Sequence, residues 1–456
     1  MTSPRWLRAA ILATLAAAPA AARIPPPWYI QTERLDTGVH ANPSDSEIVA
    51  LERDIVADGA PWMQIRFLDW NLGRRSYITL TSAEDGGWQR LDARSLPDWN
   101  AASAIFNGDR VRMELHVAPG DEGVYVRLKD QVVGHWVGGV NPSESQCGNA
   151  DNRVAASDNR VGRLFFGGCT AWFVNNGAVL TAGHCTDFDP DRNGPLLPDG
   201  VVDLSGVVEI NVPASRADGT TVAANPNDQF PINTTGIAFR FDGEGQGLGK
   251  DWSVFRVNPN SNTGQRAHIV GGFFRMTNAN TAVGATIRVT GFGSDTGTAN
   301  FTEQTHTGPY VAEQVSGANY WHQYAVDTEG GNSGSPIIRE GDGWTIGIHT
   351  NAGCTTSGGA NNGTSFEHGP LEQALEDFWG VNTVYVDTVS TYASQQGRIF
   401  QPALTLTLGE SLTPSGGVLC ITAGTYSKAS GNTGIFGTGN KAMTWIAPVG
   451  AVTIGN

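Results

Sequence analysis

Charge is scarce in this chain. Only 16% of its 456 residues are Asp, Glu, Lys or Arg, against 40% apolar residues. That balance excludes a disordered, solvating polymer, which needs many charges and few apolar groups. The charge that exists has the wrong sign for a polyanionic partner, since a net charge of −15 argues against nucleic acid. Runs able to cross a bilayer are also missing. The longest, "AAILATLAAAPAAA", follows Arg5 and Arg8 and is too short for a mature membrane span. With small residues at Ala18–Ala22 it reads as an export signal over residues 1–22, rather than as a cytosolic N-terminal helix. Export to a secreted or periplasmic location follows, and there the five cysteines can form disulfides. Helical periodicity is nearly absent too. Only "PLEQALEDFWG" places Leu371, Ala374, Leu375 and Phe378 on one face.

What the chain does have is glycine, 58 residues of it, set between short runs of Val, Ile, Thr and aromatics. This is an all-β pattern with many tight turns, and the length predicts two or three domains. After a Pro-rich link, "WMQIRFLDW", "SYITLTS", "RVRMELHVA" and "GVYVRLKDQVVG" alternate apolar and polar residues, as the half-buried strands of a β-sandwich do. A polar stretch, "GGVNPSESQCGNADNR", separates this block from a second run of strands. From Gln396 the strands become very short and glycine-separated, like the first coils of a parallel β-helix. One or two coils cannot bury a core, so that tail is expected to pack on the body or to be a remnant of a longer array.

Three short segments carry chemistry. His184 ends the apolar strand in "AVLTAGHC" and is followed at once by Cys185; Cys169 stands sixteen residues before that cysteine. A hairpin joining the two cysteines would fix the histidine loop. Asp251 opens the strand "DWSVFRV", where a half-buried carboxylate could orient an imidazole, although standing alone it would read as a plain turn aspartate. In "DTEGGNSGSP", Ser333 is flanked by glycines that let the N–H groups of Gly331 and Ser333 converge on one point. A side chain at position 331 would obstruct an approaching carbonyl. His184, Asp251 and Ser333 supply base, orienter and nucleophile.

"TAGHC", "DWSVF" and "GGNSGSP", with Cys169 placed ahead of the histidine, resemble the chymotrypsin/trypsin-like family of serine endopeptidases over about residues 147–390. The resemblance implies two six-stranded antiparallel barrels with the site between them and a C-terminal helix. It also implies the triad His184, Asp251 and Ser333, an oxyanion hole from Gly331 and Ser333, protein or peptide substrates, and a monomer without cofactor. Asn332 stands where digestive members carry an aspartate, and "GNSGSP" and "IGIHTNAG" are similar to the bacterial glutamyl endopeptidase branch. There His349 and Thr328, with Thr350 beside them, would line a pocket for a glutamate side chain. "CGNADNRV" resembles that branch's mature N-terminus, which makes residues 23–146 a pro-domain removed by an activating protease. Residues 147–392 are then the protease domain and 393–456 the extension.

The pocket holds a conflict. Asp327, six residues before Ser333, is placed where trypsin binds Arg or Lys, so the P1 side chain taken (the one before the scissile bond) could be acidic or basic. The disulfide that frames the trypsin pocket is missing, because Glu329 replaces its first cysteine. Cys147 and Cys354 are candidates for a second bridge, leaving Cys420 as a buried small hydrophobe. "DPDRNG" offers a calcium loop with Asp189, Asp191 and Asn193 as ligands, or an ordinary acidic surface loop. The reading from another class is a non-catalytic adhesion or binding protein on a protease-like scaffold.

Overall fold

The computed structural model describes residues 27–32, 34–135, 145–186, 206–241, 248–432 and 441–455. The export signal and the calcium candidates Asp189, Asp191 and Asn193 lie outside them.

The first block is a sandwich of two four-stranded antiparallel sheets. One orders Trp28–Gln31, Tyr125–Gly134, Trp62–Asn71 and Ala102–Asn107; the other orders Ile48–Val56, Arg110–Val117, Tyr77–Ser82 and Trp88–Asp92. The period-2 pattern does the sorting. Along Arg110–Val117, Val111, Met113, Leu115 and Val117 point inward, while Arg110 and Arg112 stay in water. Each such aliphatic side chain, fully buried, stabilises by about 1.5–3 kcal/mol.

The second block contains two barrels. The first closes six strands in the order Val161–Leu164, Cys169–Phe173, Val179–Thr181, Trp252–Val257, Gln229–Arg240 and Val207–Glu209. In the second, Thr286–Gly291 pairs with both Pro336–Arg339 and Gln304–Ser316, closing a ring through Trp344–Asn351, Asn361–Ser365 and Asn319–Tyr324. Val154–Ala155 adds to the Gln304–Ser316 strand. The double antiparallel barrel is therefore the fold that the sequence motifs imply. Helix Gly369–Glu376 inserts Leu371 and Leu375, one turn apart, into a core with Trp172, Leu180 and Val254 of the first barrel. It ends sooner than its apolar pattern suggests, and Phe378 is buried from the turn that follows.

At the C-terminal end, Thr383–Val386, Val418–Ile421 and Thr444–Ile446 pair in parallel, as do Gly424–Ser427 and Val452–Gly455. The stack thus begins within the stretch assigned to the protease domain, ahead of residue 393. It rests on the first barrel, where Cys420 is buried with Trp172 and Val174. A helix with no convincing signal in sequence, Leu406–Leu412, covers this stack. Gly409 sits in its middle because a Cβ there would meet Val386 Cγ2 at 2.4 Å. A short helix interrupted by glycine carries little propensity of its own; packing forms it.

Candidate active site

The histidine loop is built by the first barrel. Strand Val179–Thr181 runs into a single 3-10 turn, Gly183–Cys185, and the Cys169–Cys185 disulfide anchors that turn to the neighbouring strand. Asp251 precedes strand Trp252–Val257, which pairs with Val179–Thr181, so the two loops leave the same barrel edge. Asp251 grips the histidine twice. Oδ1 accepts the His184 backbone N–H at 3.0 Å, and Oδ2 lies 2.6 Å from Nδ1. Thr364 of the second barrel donates its hydroxyl to the Asp251 carbonyl at 2.8 Å. Both side chains are buried, and among the described residues His184 Nε2 has no hydrogen-bond partner.

Ser333 comes from the second barrel, on the loop ahead of strand Pro336–Arg339, and is fully buried. Its carbonyl accepts Thr170 N–H at 2.9 Å from the strand that begins at Cys169, and the next residue, Gly334, donates to the His349 carbonyl at 2.8 Å. The serine is thus pinned between the barrel bearing His184 and the strand bearing His349. Gly331 has φ +101°, and a Cβ there would meet the Phe292 carbonyl at 2.5 Å, so only glycine fits. Among the described residues no acceptor takes the Gly331 N–H.

Asp327 does not face an open pocket. Oδ1 accepts Cys147 N–H at 2.7 Å, and Oδ2 accepts the backbone and side-chain N–H of Asn152 at 2.9 and 2.8 Å. Its own N–H donates to His306 Nδ1 at 2.8 Å. The same upstream segment continues around the loop: Gln146 donates to Glu329, and Arg153, held by Asp151 and the Ser294 carbonyl, lies 3.5 Å from Asn332 Oδ1. Asn332 Oδ1 also accepts Glu329 N–H at 2.9 Å, a role that needs an amide or carboxylate oxygen rather than a charge. The Cys147–Cys354 disulfide ties the segment down.

His349 is fully buried, with Nδ1 2.6 Å from the Tyr324 hydroxyl and, among the described residues, no partner for Nε2. Burial, and secondarily the nearby His184, push its pKa down to about 3, so the imidazole is neutral. Thr328 is occupied: its hydroxyl donates to Ser145 Oγ at 3.0 Å and accepts from Asn361 Nδ2 at 3.0 Å. Thr350 turns its hydroxyl to Asn351 Oδ1 at 2.8 Å. Tyr324, Ser145, Asn152 and Asn361 carried no signal in sequence, because each matters only through a partner distant in the chain.

Residues 169–348 match the family described as the trypsin-like peptidase domain. The chain carries a trypsin-like peptidase domain. A glutamyl endopeptidase of Bacillus licheniformis is 26% identical over 223 residues, 44% of this chain and 55% of the relative. An extracellular metalloprotease of Bacillus subtilis is 30% identical over 201 residues, 41% of this chain and 51% of the relative. The chain spans about half the length of the curated relatives it matches. Among solved structures, a Glu endopeptidase in complex with MPD aligns at TM-score 0.37 and 19% identity, covering 50% of this chain and 96% of that one. The protease Anisep from Arthrobacter nicotinovorans aligns at TM-score 0.33 and 19% identity, covering 50% and 93%. Within the peptidase domain, Cys169, His184 and Cys185 offer ligand atoms within 4.8 Å of one another, but the disulfide takes both sulfurs out of any ligand set.

Proposed function

We propose that this chain is a secreted serine endopeptidase, made as a precursor, that cuts peptides after acidic residues. The observation that carries the reading is the doubly held His184, whose Nε2 has no hydrogen-bond partner among the described residues, on a turn whose Cys185 Sγ lies 3.8 Å from the Ser333 carbonyl. Asp251 fixes the Nδ1–H tautomer, so Nε2 is the basic nitrogen and takes the Ser333 Oγ proton as that oxygen attacks the substrate carbonyl. The Gly331 and Ser333 N–H groups receive the oxyanion. His184 then returns the proton to the leaving amine, and water cleaves the acyl-enzyme by the same relay. Of the curated relatives' names, glutamyl endopeptidase supports the substrate class, and extracellular metalloprotease supports only the export.

The acidic preference rests on the pocket chemistry. If Tyr324 donates to His349 Nδ1, Nε2–H becomes a donor for a carboxylate, with no charge needed on the ring. Asp327, its oxygens saturated by Cys147 and Asn152, is a poor anchor for a basic side chain. Cleavage before Cys147 would remove Ser145 from the Thr328 hydroxyl and release it to a substrate, which supports the precursor reading.

A fluorophosphonate probe applied before and after limited proteolysis tests the nucleophile and the activation together. Labelling is expected to rise after cleavage and to vanish in Ser333→Ala. Labelling that persists in Ser333→Ala would place the nucleophile at another residue, and absence of labelling in both states favours the binding-scaffold reading instead. A peptide library scanned at P1 reads the pocket, and preferential cleavage after Arg or Lys would overturn the acidic assignment.

A further inference from the structure

The sandwich of residues 27–135 does not lie beside the first barrel as a separable neighbour. One continuous apolar core runs through both, from Ile78, Leu115 and Trp62 to Phe165, Phe173 and Phe230. Trp62 is the hinge of that core. It is 1% exposed and meets Phe165 edge-on at 4.8 Å and Phe166 at 5.9 Å. Gly134 leaves room for it, since a Cβ there would lie 2.3 Å from the indole. Both phenylalanines belong to "RLFFGGC", the turn that leads directly into Cys169.

The polar contacts are more specific. Ala102–Asn107 and Trp88–Asp92 are the terminal strands of the two sandwich sheets, and each has an outward edge that lacks a strand partner. The barrel caps both edges with side-chain amides. Gln229 accepts the Ile105 N–H at 2.8 Å and donates to the Ile105 carbonyl at 2.8 Å, doing the work of a paired strand residue. Asn107 exchanges the same two bonds with Ala223, at 2.8 and 3.0 Å. On the other edge Asn262 accepts Arg90 N–H at 2.8 Å and donates to the Trp88 carbonyl at 2.7 Å. Asn100 and Asn258 add reciprocal bonds to the Ile232 and Asp98 carbonyls. Separation would open two sheet edges, bare a tryptophan and strand a fully buried glutamine.

We infer that residues 27–135 are a permanent second chain of the mature protein: cutting the connection ahead of Cys147 leaves the sandwich bound to the first barrel. The surface recognises one partner, an apolar aromatic turn flanked by amide side chains that read strand edges. Because the capped barrel supplies both His184 and Asp251, the sandwich is part of the frame that holds the base. This inference rests on the precursor reading for the cut itself, but the association it states does not depend on the chain's being a peptidase.

The test inserts a recognition sequence for a site-specific protease immediately before Cys147 in the full chain carrying Ser333→Ala, which prevents self-cleavage. After cutting, the protein is passed over a size-exclusion column at micromolar concentration in 1 M salt. The expected result is a single peak containing both fragments, which part only in denaturant. Two peaks in native buffer would overturn the inference. Trp62→Ala combined with Gln229→Ala should make the cut fragments separate at concentrations where the parent stays together, at least tenfold higher. Arg216→Ala, which removes only the exposed pair with Glu84, should leave association unchanged. If the double variant does not fold, the behaviour of the cut parent alone decides.

Discussion

A single hydroxyl sets which way the His349 imidazole can donate. Tyr324 O lies 2.6 Å from Nδ1 and 3.3 Å from the Asn362 carbonyl, so the histidine contact is the tighter of its two partners. If the hydroxyl proton goes to Nδ1 rather than to the Asn362 carbonyl, Tyr324→Phe removes the partner that keeps the His349 proton on Nε2. The ratio of kcat/KM for Glu over Ala at P1 is expected to fall about tenfold, roughly 1.4 kcal/mol, mostly through KM. An unchanged ratio would show that Tyr324 does not position the ring. Three buried imidazoles also set the acid limit. Burial lowers His268 and His322 to about 4 and His349 to about 3, against an ordinary 6.5. Unfolded, these rings take up protons below 6.5, while in the native state they stay neutral. Stability present above 6.5 is therefore lost as pH falls from there towards 4. Glu303, raised by burial to about 7, works the other way, weakening the fold as pH rises from 4.5 to 7. The imidazoles' share is a contribution to Tm that falls from pH 6.5 to 4.5, opposed by Glu303 and by the other carboxyls that burial raises, Glu209, Glu313, Glu367 and Glu376. Because Gln can keep the bond to the Ala178 carbonyl, His268→Gln should flatten part of that fall in calorimetry.

The segment from Ser145 to Arg153 acts as an element although it has almost no regular structure. It satisfies Asp327, Glu329 and Asn332 in turn, and so holds the loop that presents Ser333. Cleavage before Cys147 converts an N–H 2.7 Å from Asp327 into an ammonium, strengthening that contact while removing Ser145 from Thr328. Cutting there should raise kcat/KM on acidic substrates, and Asp327→Asn should blunt the gain severalfold in a peptide assay. An equal gain in both would assign activation to Ser145 alone. The cleavage point before Cys147 was read from "CGNADNRV", but the contacts it governs were not legible in sequence. The histidine, aspartate and serine loops could be read because each motif is compact and its neighbours along the chain dictate its turn. The orientation of Asp327 could not, since its partner Cys147 stands 180 residues upstream and leaves no local pattern. The sandwich strands were legible from alternation alone, but the capping of their edges depends on Gln229 and Asn262, which read as ordinary polar residues.

At the scale of the whole molecule, a buried ion pair of the first barrel reaches across to the second. Arg163 and Glu209 lie side by side in the first barrel, 2.7 Å apart and with side chains 2% and 0% exposed. Arg163 also donates to the carbonyls of Phe301 at 3.0 Å and Val222 at 2.8 Å, while Glu209 accepts Ala224 N–H at 3.0 Å. Phe301 belongs to the second barrel's side, and its ring borders the space next to Gly331. The pair therefore connects the barrel that holds the base to the wall of the loop that holds the nucleophile. Burial pushes the Glu209 carboxyl up, and Arg163 pulls it back towards the ionised form. Glu209→Leu would leave a guanidinium uncompensated in the interior, a loss of about 3–5 kcal/mol. Replacing both residues, as Arg163→Met with Glu209→Leu, removes the stranded charge and should recover most of that stability. The denaturant midpoint reads this directly, and single and double variants with equal losses would show that the pair contributes packing rather than charge. Activity separates the two roles further. If Arg163 steadies the Phe301 wall, the double variant regains its midpoint but keeps a reduced kcat, because the bond to the Phe301 carbonyl is not restored.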